Sequence, residues 1–592
     1  MKERLVLGID AGGTHTDAAL VALTEAVGTP PAARLLASAK VPTRHEDLPG
    51  TVRAALAALA RAAAAAGLDG PALLARVERA TLGTTLAVNA LVQGRADTVG
   101  LALSAGPGLD PGHFVLGEHV CIVPGGLDHR GVEVTPLSTE GLAREAAAWP
   151  ARGVAAVACV GKFSPRNPEQ ERRMGEVAGA ASGLPVTLGH SLSGRLNFPR
   201  RIATAYYNAA VARLQGEFLD AVEAALADAG VTAPVRLLKA DGGAAPLAFS
   251  RREPVQSILS GPAASVMGVM ALWPEAARGC SLLLDMGGTT TDMAVFYEGS
   301  PVVDRDGMRL LGRRTLVRSL ASVSIGVGGD SLLRAEGAPD GAPAVRVGPE
   351  REGPALAFGG ARPTLLDALN VLSPVDGTSG DVGASLAGMA ALAEQAGLGP
   401  ERGPDGVRQL ARQAVADACG QVARAARALV EGINARPIYT LAALRAVREA
   451  HPQRVCLVGG PARCVREHLE TALGLPVSIP AHFEVANAIG AALAVPTAVL
   501  ESYADTGRGI LNVPSLDHSE RVGRDLTLEQ AAARTRDLLE ARLADEGVND
   551  ADVEVVEADL FATLDDGGRG SRDIRVTCQV RPGIAARLAA SS

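Results

Sequence analysis

The chain contains two copies of one short glycine-rich turn, and this repeat constrains its fold more than any other feature. The first copy lies in LVLGIDAGGTHTDAALV, residues 5–21, and the second lies in LLLDMGGTTTDMAVF, residues 282–296. Each copy joins two apolar runs of the kind that form buried strands. Aligned on the first aspartate, the copies match Asp10 with Asp285, Gly12 with Gly287, Gly13 with Gly288, Thr14 with Thr289, Thr16 with Thr291 and Asp17 with Asp292. The two copies lie too far apart in the sequence to be repeats of a solenoid. One copy in each half of the chain instead predicts two similar lobes.

The residue types of this turn suit the binding of phosphate. Glycines permit positive φ and lack a Cβ, so backbone N–H groups can converge on an anion. An acid beside that anion would repel it unless Mg²⁺ lay between them, held through its waters by Asp10 and Asp285. Hydroxyl donors come from the threonines of both turns, Thr14, Thr16, Thr289 and Thr290. We therefore expect two facing turns to hold the phosphates of a nucleotide such as ATP, with Asp10 and Asp285 as the metal ligands.

The turn differs from two familiar phosphate-binding loops. It lacks the lysine of a GxxxxGK[ST] loop and leads into a strand, so it is neither a Walker nor a Rossmann loop. A single DxGGT sequence is more often a hairpin whose acid bonds its own backbone, but two matched copies favour the nucleotide. Asp17 and Asp292 have two interpretations. In the first, they are catalytic groups that orient water or a metal ion. In the second, they stabilise the turns, which is the commoner role of an Asp after Gly-Gly-Thr.

Composition limits the partners and the compartment. The chain has 592 residues, of which 47% are hydrophobic and 21% charged, as in globular proteins. A net charge of -8 and only 3% aromatic residues argue against a nucleic-acid partner. The seven cysteines form no CxxC pair and predict reduced thiols. With no signal-peptide core and no apolar run long enough for a membrane span, the sequence predicts a cytoplasmic protein that does not contact a membrane.

Strand-like and helix-like segments alternate along most of the chain, which predicts an α/β fold. Helices are expected at 48–66 and at 199–229, the second ending before Gly230. The stretch 335–408 is rich in glycine and proline and is expected to be a loop-heavy insertion. Three domains are predicted, namely an N-terminal lobe at 1–198, a second lobe with a connecting helix at 199–500 and a small α/β domain at 501–592.

Two later segments resemble a known superfold. Together with the paired turns, VCLVGGPARCVREHL at 455–469 and ANAIGAALA at 486–494 resemble the phosphate, adenosine and connecting elements of actin, heat-shock chaperones and sugar kinases. The resemblance implies a two-lobed actin-like, or ribonuclease H-like, ATPase fold with a small C-terminal α/β appendage. It also implies that Gly459 and Gly460 end a strand so that the backbone can lie against adenosine. In most other proteins the same pair would be an ordinary strand-to-helix turn.

Further motifs resemble the hydantoinase A/5-oxoprolinase family, in the family's order across residues 1–497. They are LGTTLAVNALVQGRADTVGL, RIATAYYNAAV, KADGGAAPLAF with EPVQSILSGPAASVMG, and VSIGVGGDS with VRVGPE and GGARPTLLDALNVL. By this resemblance one group of residues lines the substrate cleft, namely Thr84, Thr85, Asn89, Ser260 and Gly261. A second group forms a glycine loop near ribose or phosphate, namely Gly326, Gly328, Gly329 and Asp330.

Members of that family use ATP to open a cyclic amide such as 5-oxoproline or a hydantoin. A lactam carbonyl is a poor electrophile because nitrogen donates into it, and phosphorylation of the amide oxygen makes it open to attack by water. The protein then mainly supplies positioning and charge neutralisation. The resemblance implies ATP and Mg²⁺ as cofactors and a small cyclic amide as substrate. A hydantoinase B-like subunit and a second copy of the chain are the candidate protein partners.

Several residues depart from the family pattern and leave the substrate open. Leu82 stands where family members often have His, His15 stands where they often have Phe, and EGPALAFGG lacks their cysteine. Either a partner subunit supplies substrate contacts, or the ring that is opened differs.

Two other functions fit the same nucleotide site. One is the ATP-using subunit of a ketone carboxylase. The other is a nucleotide switch or activator ATPase, although the chain has neither the cysteine pair of such activators nor a large peptide-binding domain.

Overall fold

The computed structural model describes residues 2–26, 29–44, 46–304, 307–337, 343–375, 378–396, 403–435, 449–549, 551–564 and 567–589. Among these residues, no helix has both the length and the apolar character needed to cross a bilayer.

The helices are given in chain order. They are α1 (Leu48–Ala65), α2 (Gly70–Ala75), α3 (Leu86–Val92), α4 (Glu140–Ala148), α5 (Glu169–Ser182), α6 (Gly189–Leu192), α7 (Phe198–Asp228), α8 (Leu247–Arg252), α9 (Ser260–Leu272), α10 (Leu365–Leu372), α11 (Val382–Gln395), α12 (Gly403–Asn434), α13 (Ala462–Leu473), α14 (Ala486–Leu493) and α15 (Leu528–Asp545). The two helices expected at 48–66 and 199–229 are confirmed as α1 and α7.

The strands of the first half are β1 (Lys2–Ala11), β2 (His15–Ala26), β3 (Thr29–Pro42), β4 (Val77–Thr84), β5 (Val99–Ser104), β6 (His119–Val123), β7 (Gly126–Leu127), β8 (Glu133–Thr135), β9 (Ala156–Val160), β10 (Val186–Leu188), β11 (Val235–Leu238) and β12 (Ala244–Pro246). Those of the middle are β13 (Cys280–Met286), β14 (Thr291–Tyr297), β15 (Ser300–Pro301), β16 (Val303–Asp304), β17 (Arg309–Leu310), β18 (Arg313–Arg314), β19 (Ser319–Leu320), β20 (Ser322–Ile325), β21 (Leu333–Gly337), β22 (Pro343–Val347), β23 (Val455–Val458) and β24 (Val477–Ser478). The last are β25 (Val499–Asp505), β26 (Ile510–Val513), β27 (His518–Arg521), β28 (Val553–Leu564), β29 (Gly570–Val580) and β30 (Arg587–Leu588).

Two sheets share one topology, and each carries one of the repeated turns. In the first sheet the strand order is β12-β11-β4-β1-β2-β3-β30, and in the second it is β15-β14-β13-β23-β24 with β20 beside β14. In each sheet the first three strands along the chain pair antiparallel, and the next two pair parallel beside the first. These strands are β1, β2, β3, β4 and β11 in the first sheet and β13, β14, β15, β23 and β24 in the second. Across each sheet their order is third, second, first, fourth, fifth. This is the ribonuclease H-like arrangement of actin-like proteins. The predicted two-lobed actin-like fold is therefore confirmed.

Strands from distant parts of the chain complete these layers. β11 and β12 come after residue 198 and β30 lies near the C-terminus, yet all three belong to the first sheet. A four-stranded sheet, β10-β9-β5-β6, lies within the N-terminal half, and a five-stranded sheet, β27-β26-β25-β29-β28, packs with α15 to form the C-terminal appendage. Sheet membership thus crosses the boundaries placed at 198 and 500, which stay predictions.

The stretch 335–408 contains more helix than expected. It holds α10, α11 and the start of α12, while residues 338–342, 376–377 and 397–402 lie outside the described part of the chain. A capping box between Thr364 and Asp367 starts α10, and Leu365 and Leu369 of that helix are fully buried. The prediction of a loop-heavy insertion is wrong for these helices because most of the glycines and prolines lie between the helices and none lies within α10, whose apolar face stays intact.

Two helices cross tightly behind the repeated turns. A Cβ added to Gly268 of α9 would come within 2.2 Å of the Ala486 carbonyl oxygen, and one added to Gly490 of α14 within 2.2 Å of the Ala264 carbonyl oxygen. The two backbones therefore touch, which only glycine permits at both positions. The contact sets α14 against β1 and β2 and places its first turn beside both hairpins.

Candidate functional site

The two glycine-rich turns are β-hairpins of the same construction. In the first, the Gly12 N–H donates to the His15 carbonyl at 3.1 Å, and in the second the Gly287 N–H donates to the Thr290 carbonyl at 2.9 Å. The turns join β1 to β2 and β13 to β14. The repeat in the sequence is thus a repeat in backbone geometry.

The first aspartates of the two hairpins meet at one side chain. The Asn487 Nδ2 donates to Asp10 Oδ2 at 3.2 Å and to Asp285 Oδ2 at 3.3 Å. Asn487 lies in the first turn of α14, and the Ser265 hydroxyl of α9 also donates to Asp285 at 2.5 Å. The two carboxylates predicted to share a metal ion therefore lie on either side of a single nitrogen atom.

The hairpin tips also face each other. The hydroxyl oxygens of Thr14 and Thr289 lie 3.2 Å apart, and both side chains are half-buried. The next matched threonines behave differently, because Thr16 and Thr291 are fully buried. The Thr16 hydroxyl lies 2.9 Å from that of Thr43, and the Thr291 hydroxyl donates to the Val327 carbonyl at 2.6 Å. Thr16, predicted as a phosphate ligand, instead fastens its hairpin to the next strand.

The second aspartates lie on the strands that follow the hairpins, Asp17 buried and Asp292 half-buried. Strand register sets Asp17 opposite Asp10 and Asp292 opposite Asp285. Both oxygens of Asp17 accept from Lys40, at 2.8 and 2.9 Å. This ion pair agrees with the fastening role of Asp17 rather than with a catalytic one.

The predicted glycine loop packs against the second hairpin. The Gly329 N–H donates to the Gly287 carbonyl at 2.9 Å, and the Asp330 N–H donates to the Gly288 carbonyl at 2.7 Å. The Asp330 carboxylate then pairs with Arg351 at 3.1 Å. The structure thus brings the loop that contains Gly326 and Gly328 to the second hairpin.

The paired glycines after β23 differ in their surroundings. Gly459 has φ +96°, and a Cβ there would lie 2.1 Å from the Met286 carbonyl oxygen and 2.7 Å from Asp285 Oδ1. A Cβ on Gly460 would meet no heavy atom within 4 Å. Gly459 therefore supports the end of β13 and its aspartate, while Gly460 is open.

The predicted cleft residues form one cluster beside the first hairpin, namely Thr84, Thr85, Asn89, Ser260 and Gly261. The Thr85 N–H donates to the Ala11 carbonyl at 3.3 Å, and the Asn89 side chain donates to the Thr85 hydroxyl at 3.2 Å. Ser260 is fully buried, and its hydroxyl donates to the Thr84 carbonyl at 2.8 Å. Thr84 and Ser260 therefore bond to each other inside the protein, beneath the predicted cleft.

Negative charge predominates around the hairpins. Burial, together with the charges of Asp17 and Asp285, raises the pKa of Asp10 to about 7. Burial likewise raises the pKa of Asp292 to about 7, with Asp285 adding to the effect. The pKa of Asp17 is also raised by burial, although the Lys40 ammonium opposes this. Such a site would repel a triphosphate unless a cation accompanied it.

The residues fit a magnesium ion. Asp10 is only 4% exposed, and its Oδ1 has no hydrogen-bond partner among the described residues. A buried carboxylate oxygen without a partner is costly, and a divalent cation would remove that cost. Within the described segments, no group of three or more His, Cys, Asp or Glu is arranged to hold a metal. Mg²⁺ is commonly held by one or two carboxylates together with water and substrate phosphates, which Asp10 and Asp285 would satisfy.

Two residues of this site were not predicted from the sequence. Asn487 is the only polar side chain in ANAIGAALA, and that isolation is the signal that would have found it. Ser265 lies among small apolar residues of α9 and gives no comparable signal.

Comparison with known proteins assigns the family. Residues 201–499 match the hydantoinase/oxoprolinase model, and residues 6–181 match the model of its N-terminal region. The chain belongs to the hydantoinase/oxoprolinase family. Among its relatives is caprolactamase subunit alpha of Pseudomonas jessenii, 27% identical over 485 residues, which are 77% of this chain and 65% of that protein. The chain thus spans less than two thirds of that relative's length.

Two solved structures share the fold of this chain. Nucleotide-free acetone carboxylase, from work on ATP-dependent acetone carboxylation, has a TM-score of 0.72 at 17% identity, with 98% of this chain and 88% of that chain covered. The ATP-dependent caprolactamase of Pseudomonas jessenii has a TM-score of 0.68 at 21% identity, covering 99% and 88%. At these identities the likeness shows the fold alone.

Proposed function

We propose that this member of the family binds Mg²⁺ and ATP between its two hairpins and uses them to open a cyclic amide. The observation that carries the nucleotide part is the meeting of the hairpins, through Thr14 with Thr289 and through Asn487 with both first aspartates. Family membership and the name of the caprolactamase relative support the choice of a cyclic amide.

Each group of residues has a role in this proposal. Asp10 and Asp285 would hold Mg²⁺, which would neutralise the negative charge of the phosphates. The glycine loop and the two glycines after β23 lie toward ribose and adenosine. The β- and γ-phosphates are bound by backbone and hydroxyl groups of both hairpins, namely Gly12, Gly13, Thr14, Gly287, Gly288, Thr289 and Thr290.

The proposed reaction proceeds through the amide oxygen. The oxygen of the lactam attacks the γ-phosphorus and ADP leaves, which turns the carbonyl into an imidate-like phosphate. Water adds to that carbon, the ring nitrogen takes up a proton, and the C–N bond breaks to give an amine and an acyl phosphate. A second water releases inorganic phosphate and leaves a carboxylate. The chain's contribution is positioning and charge neutralisation, which carry most of the catalysis in phosphoryl transfer.

A second candidate uses the same nucleotide site. Sequence similarity to the acetone carboxylase beta subunit of Xanthobacter autotrophicus, 28% identical over 384 residues, supports an ATP-using carboxylase subunit as the alternative. In that case an enolate or bicarbonate oxygen would receive the phosphoryl group.

One assay separates these proposals. The purified chain, alone and with a hydantoinase B-like subunit, is incubated with MgATP, and phosphate release is measured with caprolactam, 5-oxoproline, a hydantoin, or acetone plus bicarbonate. Stimulation by a ring amide with formation of the amino acid is expected. Stimulation by ketone plus bicarbonate alone would select the carboxylase, and stimulation only by another protein would select a nucleotide switch.

A further inference from the structure

A cavity of about 110 Å³ lies where the first sheet meets the C-terminal sheet. Its walls come from the residues after β11, from the segment between α8 and α9, and from β25, β29 and α15. A dry protein cavity of roughly 150 Å³ is known to accept benzene. A cavity of this size therefore suits a small ring.

Glu253 lines this cavity with a carboxylate that has no close hydrogen-bond donor among the described residues. It is only 7% exposed, with Gln256 Nε2 at 3.4 Å and Arg252 Nε at 3.8 Å, and the charge of Arg542 also acts on it. Both distances exceed those of good hydrogen bonds. Burial raises the pKa of Glu253 to about 7. A ligand N–H would give this carboxylate the close donor that it lacks.

Lys239 lines the same cavity with an ammonium group. It is 6% exposed, and among the described residues its only hydrogen-bond acceptor is Asp241 Oδ2 at 3.2 Å. Asp241 is already satisfied, because it also accepts from the Gly243 N–H at 3.0 Å and from the Thr497 hydroxyl. An ammonium carries three N–H groups, so Lys239 can donate to a further acceptor.

The cavity lies beside the carboxyl end of β11 in the first sheet. β11 runs parallel to β4 with Leu237 level with Leu82, so Lys239 lies level with Thr84 at the carboxyl end of the neighbouring strand. β11 is two strands from β1, a distance of ~10 Å at the usual strand spacing. Ligands of open α/β sheets bind at this end of the parallel strands.

We propose that this cavity binds the ring that the enzyme opens, with Glu253 accepting from the ring N–H and Lys239 donating to the ring carbonyl. The amide of a small lactam is cis, so its N–H and C=O lie side by side and can reach an adjacent acceptor and donor. Five carboxylates and four cations line the cavity, which leaves no excess of positive charge for a carboxylate on the ring. A neutral lactam is therefore the preferred class, ahead of 5-oxoproline. This inference rests on the function proposed above.

The test compares wild type with Lys239→Met, Glu253→Gln and the cavity-filling Ala245→Leu. Steady-state KM values are measured for 2-pyrrolidinone and caprolactam, and the MgATP dissociation constant is measured separately with a fluorescent nucleotide. Lys239→Met is expected to raise the lactam KM at least ~10-fold, the loss of about one hydrogen bond. Glu253→Gln replaces a charge-assisted hydrogen bond by a neutral one, and Ala245→Leu fills the space of the ring, so both are also expected to raise the lactam KM. The matched control is Lys162→Met, which removes an equally buried lysine that donates to the carbonyls of Ala105 and Pro107 away from the cavity. Thermal melts of all variants show whether they are folded.

The outcomes separate this inference from the proposed function. If lactams stimulate wild type and the cavity variants keep its KM, or lose no more than Lys162→Met does, the cavity assignment is overturned and the function stands. If no lactam stimulates turnover, the proposed function is refuted. Calorimetric titration of 2-pyrrolidinone without ATP then tests whether the cavity binds a lactam. Binding that Glu253→Gln weakens supports the site, and no binding overturns it.

Discussion

Gly459 and Gly460 are equivalent in the sequence but differ sharply in the room they leave for a side chain. Gly459 has φ +96°, and a Cβ there would come within 2.1 Å of the Met286 carbonyl oxygen. A Cβ on Gly460 would touch nothing within 4 Å. We predict that Gly459→Ala displaces the end of β13 together with Asp285, while Gly460→Ala leaves the hairpin where it is.

The size of the effect follows from two terms. A non-glycine residue held at left-handed φ costs ~1–3 kcal/mol. The contact with the Met286 carbonyl involves backbone on one side, so no rotamer change relieves it, and the resulting strand shift costs ~1–3 kcal/mol as overpacking does. Gly459→Ala should therefore lower the free energy of unfolding by ~2–6 kcal/mol. Gly460→Ala should stay within ~1 kcal/mol of wild type, like most substitutions away from packed contacts.

Urea unfolding and equilibrium binding of MgATP measure both consequences. A misplacement of ~1 Å at a reacting centre can cost ~100-fold in rate, so turnover should fall with the shift of Asp285. Gly460→Ala is the matched control, with the same chemical change one residue away. Equal unfolding midpoints and equal MgATP affinities for the two variants would refute the supporting role of Gly459.

Three further results are expected. Asn487→Asp places a third carboxylate between Asp10 and Asp285, and the added repulsion should lower the melting temperature without metal. Mg²⁺ should restore part of the loss, and a melting temperature that does not respond to Mg²⁺ would contradict this prediction. Asp10→Asn or Asp285→Asn should weaken ATP binding at least ~100-fold, because the metal that neutralises the phosphate charge is lost. Chelation of Mg²⁺ in wild type should have the same effect. Binding of a fluorescent nucleotide measures both, and unchanged binding would exclude the metal role of these aspartates. Glu253 has its pKa raised from 4.5 to about 7, so its buried charge destabilises the fold as pH rises through that range. Glu253→Gln should thus raise the free energy of unfolding by ~3 kcal/mol at pH 8 and not at pH 4; a gain independent of pH would contradict it.

Much of the nucleotide site is visible in the sequence because its parts are local. A Gly-Gly-Thr turn between two apolar runs dictates a hairpin, and strand pairing then sets Asp10 against Asp17 whatever the rest of the chain does. The long helix at 199–229 follows in the same way from residues within a few turns of one another. These features depend on backbone preferences that operate over a few residues, so they survive without knowledge of the packing.

Other features depend on contacts between distant segments. The burial of Thr16 against Thr43 follows from where β3 runs, and helix α10 forms within a stretch whose composition favours loops. The difference between Gly459 and Gly460 arises from the end of β13 and is absent from the local sequence.

The sequence by itself determined the duplicated hairpin, the acids on it and the family to which the chain belongs, because these depend on short patterns of residue type. The tertiary structure alone decided which atoms meet. Asn487 lies hundreds of residues from Asp10, and only the close crossing of α9 and α14 carries its amide between the two aspartates. The cavity beside β11 likewise exists only because the C-terminal sheet packs onto the first. Such contacts arise from the packing of whole layers, and no local pattern encodes that packing.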